Sequence, residues 1–375
     1  MNTYLMDPLA PLIIRSGRPF DNQAGADAAR FPPPSTLAGA LRTAHAGTTG
    51  KPFGPDLAKI PVAGPLPVKL DESGKVISLL VPKPADAHYF WNEGKTAAQL
   101  VRAAPKPMSE NEGMDLPDEP DGLLPVQLAA ATVGKPSGGP RWWAWNDLMA
   151  FRGGETPSIE NLKSNGWAPP EDDLRTHVVI ERISQSAEKG KLFQTAGLTF
   201  LPCPQAGAPF PEGRISLIGS ISGEIGNGVI TLGGERRLSA IAPAPGDLWP
   251  TMPANLAEDI HRAGGLCLTL LTPALFAGGW HPSLTGKPFG GAGLKLRLRA
   301  AALERWLPHS GWDLAQWQPR AGRKMVPAGA VYWFEVLEAS DKALRALWLA
   351  PVSDHEQDRR DGFGLAWTPP RELTH

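Results

Sequence analysis

Apolar and polar positions divide this chain into many strand-like stretches and few helical ones. Tyr4 to Ile14 is rich in apolar residues and closes at Ser16-Gly17-Arg18-Pro19, predicting a strand and a turn. Phe31-Pro32-Pro33-Pro34 leads into STLAGALRTAHAG, where Leu37 and Leu41 lie four apart among alanines. That spacing predicts a helix capped by Ser35 or Thr36 and stopped by Gly47. His177 to Ile183 and Leu192 to Phe200 flank SQSAEKGK and predict a long hairpin or protruding β-element. Ile215, Leu217, Gly219 and Ile221 alternate with Ser216, Ile218, Ser220 and Ser222, and Val229 to Leu232 follows closely; both predict strands. Gly265 to Leu271 is an apolar run of buried-strand length. Gly293 to Arg299 alternates Leu294, Leu296 and Leu298 with Lys295, Arg297 and Arg299, which gives a strand with one basic face. Ala330 to Leu337 predicts a last strand, and Leu344 to Leu349 fits a helix or a strand. This mixture predicts an α+β fold of sheets covered on one side.

From Lys51 to about Pro140, Pro and Gly interrupt the text every few residues, and Ser109 to Asp121 carries six carboxylates and no basic residue. That run reads as a solvated, mobile insertion.

With 375 residues, the chain is long enough for two modest domains whose cores need no disulfide or metal. Its 41 glycines and 40 prolines exceed ordinary usage without reaching the level of low-complexity disorder, so the chain is folded and loop-rich. Lys and Arg number 37 against 38 Asp and Glu, which excludes a global attraction to nucleic acid or membrane and leaves only local basic surfaces. Cys203 and Cys267 are too few for a disulfide framework or a cysteine zinc cluster, which fits a reducing cytoplasm. No export signal or run of eighteen apolar residues is present, so the sequence predicts a cytoplasmic protein with no membrane partner.

Several chemical signatures fail on spacing. Gly94-Lys95-Thr96 has Tyr89 where a P-loop needs its first glycine, and Gly291-Ala292-Gly293 and Gly362-Phe363-Gly364 have Leu296 and Trp367 where a dinucleotide fingerprint needs its third. Gly219 to Gly223 centres on Ile221 instead of a nucleophilic serine. The eight histidines include no helical i, i+4 metal pair, so no metal site or cofactor is expected. Thirteen tryptophans, with Trp142, Trp143 and Trp145 nearly adjacent, fit core packing better than a stacking platform, because they are spread along the whole chain.

Three features favour phosphate-rich ligands. The first is Gly286-Lys287-Pro288-Phe289-Gly290-Gly291-Ala292-Gly293, running directly into the basic strand Lys295, Arg297, Arg299. Glycines let backbone N–H groups approach a phosphate, and adjacent cations supply charge. From His281 to Lys324, eight Lys or Arg face only Glu304 and Asp313, the footprint expected of a nucleic-acid strand. The second is Leu232-Gly233-Gly234-Glu235-Arg236-Arg237, where two arginines follow a glycine pair. The third, Arg359-Arg360-Asp361-Gly362-Phe363-Gly364, is a glycine-interrupted loop led by basic residues. For each, a turn or a solvated sheet face is the plainer alternative.

These residues carry a family resemblance. DPLAPLIIRSGRPF with FPPPSTLAGALRTA, then LGGERR at 232–237, LTPALF at 271–276, VPAGAVYWFE at 326–335 and the closing DGFGLA are similar, in order, to the third subunit of Cmr, the type III-B CRISPR RNA-guided effector complex. AEKGKLF at 187–193 resembles the hairpin region of the wider RAMP superfamily. The resemblance implies two ferredoxin-like, RRM-related modules with antiparallel sheets. One would span 1–205, with the Pro-rich acidic insertion at about 84–140 and a hairpin thumb at about 175–200; the other would span 206–375, with the glycine-rich loop. It implies a non-catalytic subunit that holds the 5′ tag of crRNA, docks on the large polymerase-like Cmr subunit and a backbone RAMP subunit, and meets target RNA indirectly. RNA contacts would then fall on Lys287, Gly290, Gly291, Gly293, Lys295, Arg297, Arg299, Arg236, Arg237, Arg18, Gly362 and Gly364, the glycines of 286–293 and 362–364 as tag-contacting or sheet-edge backbone, and thumb contacts on His177, Arg182, Lys191 and Phe193. Some RAMP proteins are instead endoribonucleases that process CRISPR precursor RNA, a role for which His281 or His177 would be the acid or base. The corresponding type III-A subunit is a further alternative.

Overall fold

The computed structural model describes residues 1–14, 28–92, 94–109, 111, 113–115, 122–129, 134–200, 214–290, 293–313 and 318–372. Arg18, Gly291, Cys203 and most of the acidic stretch 109–121 lie outside these residues. In chain order the main elements are β1 (Asn2–Pro8), α1 (Pro34–Thr49), β2 (Val62–Leu70), β3 (Val76–Pro82), β4 (Ala87–Trp91), β5 (Ala98–Pro105), β6 (Val126–Leu128), β7 (Trp142–Ala144) and α2 (Trp145–Arg152). There follow β8 (Asp173–Ile180), β9 (Ala187–Gly197), β10 (Arg214–Ile221), β11 (Gly228–Thr231), β12 (Leu238–Pro243), α3 (Leu256–Ala263) and β13 (Gly265–Leu270). The last are β14 (Leu294–Ala302), β15 (Val331–Ala339), α4 (Asp341–Ala346), α5 (Glu356–Arg360) and β16 (Leu365–Trp367). Helix α4 resolves the ambiguity at 344–349.

The chain forms two compact units, Met1–Ile77 with Pro169–Asp247 and Pro308–Lys324, and Ser78–Ala168 with Leu248–Leu307 and Met325–His375. Each takes sequence from both sides of residue 205, where the sequence places the module boundary. Long-range antiparallel pairing is the reason: β1 lies between β10 and β12, more than two hundred residues on.

In the first unit the strands run β11-β12-β1-β10-β2, antiparallel throughout. Helix α1 packs on β2 and β10 and buries Leu37 and Leu41 completely. It starts at Pro34 behind Pro33, with no side-chain cap, so Ser35 and Thr36 lie inside the first turn instead of capping it. A proline at the first position needs no N–H partner and has its φ already set. The helix continues through Gly47 and stops at Gly50, in the left-handed conformation at φ +65°.

In the second unit the order is β14-β15-β13-β16, with residues 350–351 at the edge, again antiparallel. Leu266, Leu268 and Leu270 of β13, Leu294, Leu296 and Leu298 of β14, and Tyr332 and Phe334 of β15 bury one face together with Leu256 and Ile260 of α3. The opposite face is covered as well: Cys267, Ala300, Ala302, Val331 and Trp333 pack against Ala85, Leu124 and Val126. One-sided coverage therefore does not describe this sheet, and residues from the 84–140 stretch supply its second cover. Trp143 of β7, just after that stretch, is fully buried and donates to the Tyr89 hydroxyl at 2.6 Å, and Trp142 stacks on Trp167. These are packing roles. Counted in chain order, the four neighbouring strands β12-β1-β10-β2 stand fourth, first, third, second, as do β16-β13-β15-β14 of the second sheet.

Candidate nucleic-acid interface

The glycine-rich loop connects β13 to β14, the first and second strands of the second sheet. Phe289 anchors it, 1% exposed, its ring 5.6 Å from that of Phe334. Gly290 donates its N–H to the Gly286 carbonyl at 2.7 Å, and a Cβ at Gly290 would lie 2.0 Å from the Thr285 carbonyl oxygen. No other residue fits there without moving backbone. Lys287 and Gly290 remain exposed on this fixed loop. At its end, the Gly293 carbonyl accepts from the Ser340 N–H at 2.7 Å.

From there β14 alternates as its pattern requires. Leu294, Leu296 and Leu298 enter the core, while Lys295 and Arg297 are exposed and Arg299 is half-buried. This basic face carries acidic neighbours from β15. Arg297 lies opposite Glu335, and Lys295 opposite Glu338. Glu335 stands 3.5 Å from Arg297 and 4.0 Å from Arg299, so part of the charge legible in the sequence is offset by a strand forty residues away.

The 359–364 loop, expected to supply tag-contacting or sheet-edge backbone, runs into β16 beside the edge of the second sheet. Gly362 and Gly364 are buried, with the Gly362 carbonyl accepting from the Thr272 hydroxyl at 2.7 Å. Gly364, at φ +79°, donates to the Pro273 carbonyl and accepts from the Val352 N–H, and a Cβ there would lie 2.8 Å from the Ser353 nitrogen. Their polar groups are already engaged within the unit. Arg359 donates to the carbonyls of Ser353 at 2.7 Å and Lys287 at 3.3 Å, which ties this loop to the glycine-rich one.

Arg236, Arg237 and the hairpin belong to the first unit. Glu235 and Arg236 both have positive φ, and the Arg237 N–H returns to the Gly234 carbonyl, a tight hairpin turn that leaves Arg236 outward. In the hairpin, β8 pairs with β9 and, among the described residues, with no other strand. Its two faces differ. One carries Leu174, Val178 and Leu192, exposed to 63%, 42% and 54%. The other carries His177 opposite Phe193, their rings stacked at 5.0 Å, with His177 Nε2 2.9 Å from the Thr195 hydroxyl. Arg182 is exposed in the turn, and Lys191 pairs with Glu188 at 2.6 Å.

Sequence reasoning missed a charged cluster on the covered face of the second sheet. Arg152, at the end of α2, forms a two-pronged pair with Asp86 and donates to the Thr269 hydroxyl at 3.1 Å. Burial opposes its charge, and Asp86 outweighs burial and pushes the guanidinium up. The Arg102 guanidinium lies 3.9 Å from the Phe151 ring centre. Nothing in the local sequence marks these residues, which are scattered between positions 86 and 269. Cys267 beside them is fully buried, and burial pushes its thiol up, leaving a small core residue.

Among the described residues no group of His, Cys, Asp and Glu is arranged to hold a metal ion, and no helix is long and apolar enough to cross a membrane. A family model described as CRISPR-associated protein (Cas_Cmr3) matches residues 4–369. No curated protein matches the chain. Similar solved structures include a chain of the type III-B Cmr-beta complex bound to cognate target RNA and AMPPnP, at 12% identity, covering 88% of this chain and 86% of that one with a TM-score of 0.49. A chain of the same complex bound to cognate target RNA is similar at 13% identity, 88% and 86% coverage and a TM-score of 0.48.

Proposed function

Since the chain belongs to the Cas_Cmr3 family of CRISPR-associated proteins, we propose that it is the non-catalytic RNA-binding subunit of a type III-B Cmr effector complex. In this role it holds the 5′ tag of crRNA and docks on the large polymerase-like subunit and a backbone RAMP subunit. The observation that carries the reading is the glycine-rich loop. Phe289 and Arg359 fix its backbone from within, while Lys287 and Gly290 stay open to a ligand and the loop continues into the Lys295, Arg297, Arg299 face. Backbone amides and cations held in this way suit the phosphates of a single strand. The hairpin adds a second element, because the stacked His177 and Phe193 offer a π-face to a base.

Two ferredoxin-like modules are part of the proposal. The fourth-first-third-second order of four neighbouring strands in each sheet supports them, as does one helix after β1 and one after β15. The non-catalytic reading is supported by the surroundings of the two histidines considered for acid–base chemistry. His177 is bound to Thr195 and stacked on Phe193, and His281 lies edge-on to Trp280.

Affinity purification of the tagged protein from its native cell, with sequencing of bound RNA, tests the reading. Short RNAs sharing a repeat-derived 5′ end, recovered with a large polymerase-like subunit, are the expected result. A protein recovered alone and free of RNA refutes it. A discrete product from precursor RNA, lost in His281→Ala, would refute the non-catalytic part.

A further inference from the structure

The first sheet ends at β11, whose outer side has no partner strand among the described residues. The Leu232 N–H donates to the Arg237 carbonyl at 2.8 Å, which makes these two a hydrogen-bonded pair. Ile230 with Ser239 and Gly228 with Ile241 are the next such pairs in register. Val229 and Thr231, which lie between them, therefore direct their N–H and C=O groups away from β12. No turn or loop among the described residues takes these groups up. They recur about 7 Å apart along the strand, and Gly228, Val229 and Thr231 are exposed.

The side chains beside this edge are apolar. A Cβ at Gly219 would meet Leu37 of α1 and Met6, so Met6 and its partner Ile241 face the helix, and Val229, Leu238 and Leu9 lie on the opposite face. They are exposed to 58%, 46% and 55%. Neither β11 nor β12 carries a Lys or Arg, so the strands at the edge supply no cation for a phosphate. Sheet edges are commonly shielded by Lys, Pro or a bulge; β11 has none of these, and its pairing to β12 runs without a register shift. Charge returns at the two ends. Glu224 before the strand and Arg236 after it are exposed and form no ion pair among the described residues.

We propose that the open edge of β11 takes up an extended segment of a partner protein of the effector complex as an added strand. The segment is apolar at alternate positions, where it meets Val229 and Leu238, and carries a carboxylate at the Arg236 end and a cation at the Glu224 end. The inference rests on the effector-subunit reading above and adds a docking surface to it. It makes Arg236 a protein contact where the family resemblance implies an RNA contact. Main-chain hydrogen bonds give such an addition its affinity, and alternate side chains give it specificity.

The test is residue-resolved hydrogen exchange on the full chain, alone and in the complex recovered from its native cell through a tag. The Val229 and Thr231 amides are expected to exchange fast in the free chain and about tenfold more slowly or better in the complex. Ile230 and Leu232, already bonded to β12, should change little. Thr231→Pro removes one outward N–H, which an edge strand tolerates, and Val229→Lys places a charge in the apolar middle. Each is expected to keep the parent melting temperature and to lower recovery of one protein subunit about tenfold, the scale of one lost main-chain hydrogen bond. Arg236→Glu should lower the same recovery and leave the salt slope for RNA unchanged. Equal exchange of Val229 and Thr231 in the free chain and in an intact, RNA-loaded complex ends the inference and leaves the effector-subunit reading standing. Recovery of the chain alone and free of RNA ends both. Protection that rises with the concentration of the free chain would make the occupant a second copy, and protection lost to ribonuclease with every subunit retained would make it RNA; either overturns the proposal.

Discussion

Arg152 and Asp86 meet as a two-pronged ion pair, with Nη2 2.9 Å from Oδ1, although their side chains are only 6% and 2% exposed. The pair fastens α2 and the loop before β4 to Thr269 of β13, so the segment from 86 to 152 is tied to the sheet by charge as well as by packing. Such a pair adds little net stability, yet breaking it is costly because a charge remains buried and alone.

Asp86→Ala should therefore lower stability by about 3–5 kcal/mol, whereas Asp86→Leu combined with Arg152→Met should recover most of that loss. Thermal unfolding of the two variants beside the parent checks both parts. A double variant no better than the single one would show that the pair does more than satisfy itself.

Gly290→Ala places a methyl group against the Thr285 carbonyl. The loop must open, since backbone stands in the way, and a loss of about 1–3 kcal/mol in stability is expected. RNA affinity should fall with it. Wild-type affinity in a stable Gly290→Ala protein would remove the loop from the interface.

Glu335 holds Arg297 and Arg299 and so competes with any phosphate for them. Glu335→Gln should tighten RNA binding, and the double substitution Arg297→Ala with Arg299→Ala should weaken it and lower the salt slope by about 2. Fluorescence anisotropy across a salt series measures both. Opposite signs for the two changes are the essential expectation.

Phe193 pairs with His177 on the hairpin, whose strands, among the described residues, pair only with each other. Phe193→Ala should cost about 1–3 kcal/mol in RNA binding if one base stacks there, with the melting temperature of the protein unchanged. Equal affinities for the two proteins would leave the hairpin to protein partners.

Tyr89 accepts from the Trp143 indole at 2.6 Å and donates to the Pro140 carbonyl, and burial pushes its phenol up to about 12. The neutral form is the one that folding favours, so its contribution is complete below pH about 10 and is lost as the pH rises toward 12. Melting temperatures between these values should fall for the parent and fall less for Tyr89→Phe, which starts lower.

The hairpin at 173–197 and the strands at 214–221, 265–270 and 294–302 were legible because alternation and apolar runs are local signals, set by the period-two geometry of the strand. The start of α1 is not legible in this way, because a proline opens the helix without a polar cap. At Gly362 and Gly364 the sequence leaves tag-contacting and sheet-edge backbone both open, because glycine signals freedom of φ and close approach without saying what approaches; in the folded chain Thr272 and Ser353 of the same unit do.

Most element types, the alternating basic face of β14, the glycine loop before it and the family likeness can be read from residues near one another along the chain. It takes the folded chain to bring Glu335 against Arg297 and to make Asp86 and Arg152 meet over Thr269. Each of these depends on antiparallel register or packing between segments tens to hundreds of residues apart. Charge acts through distance in space, and distance in space is what a linear pattern leaves open.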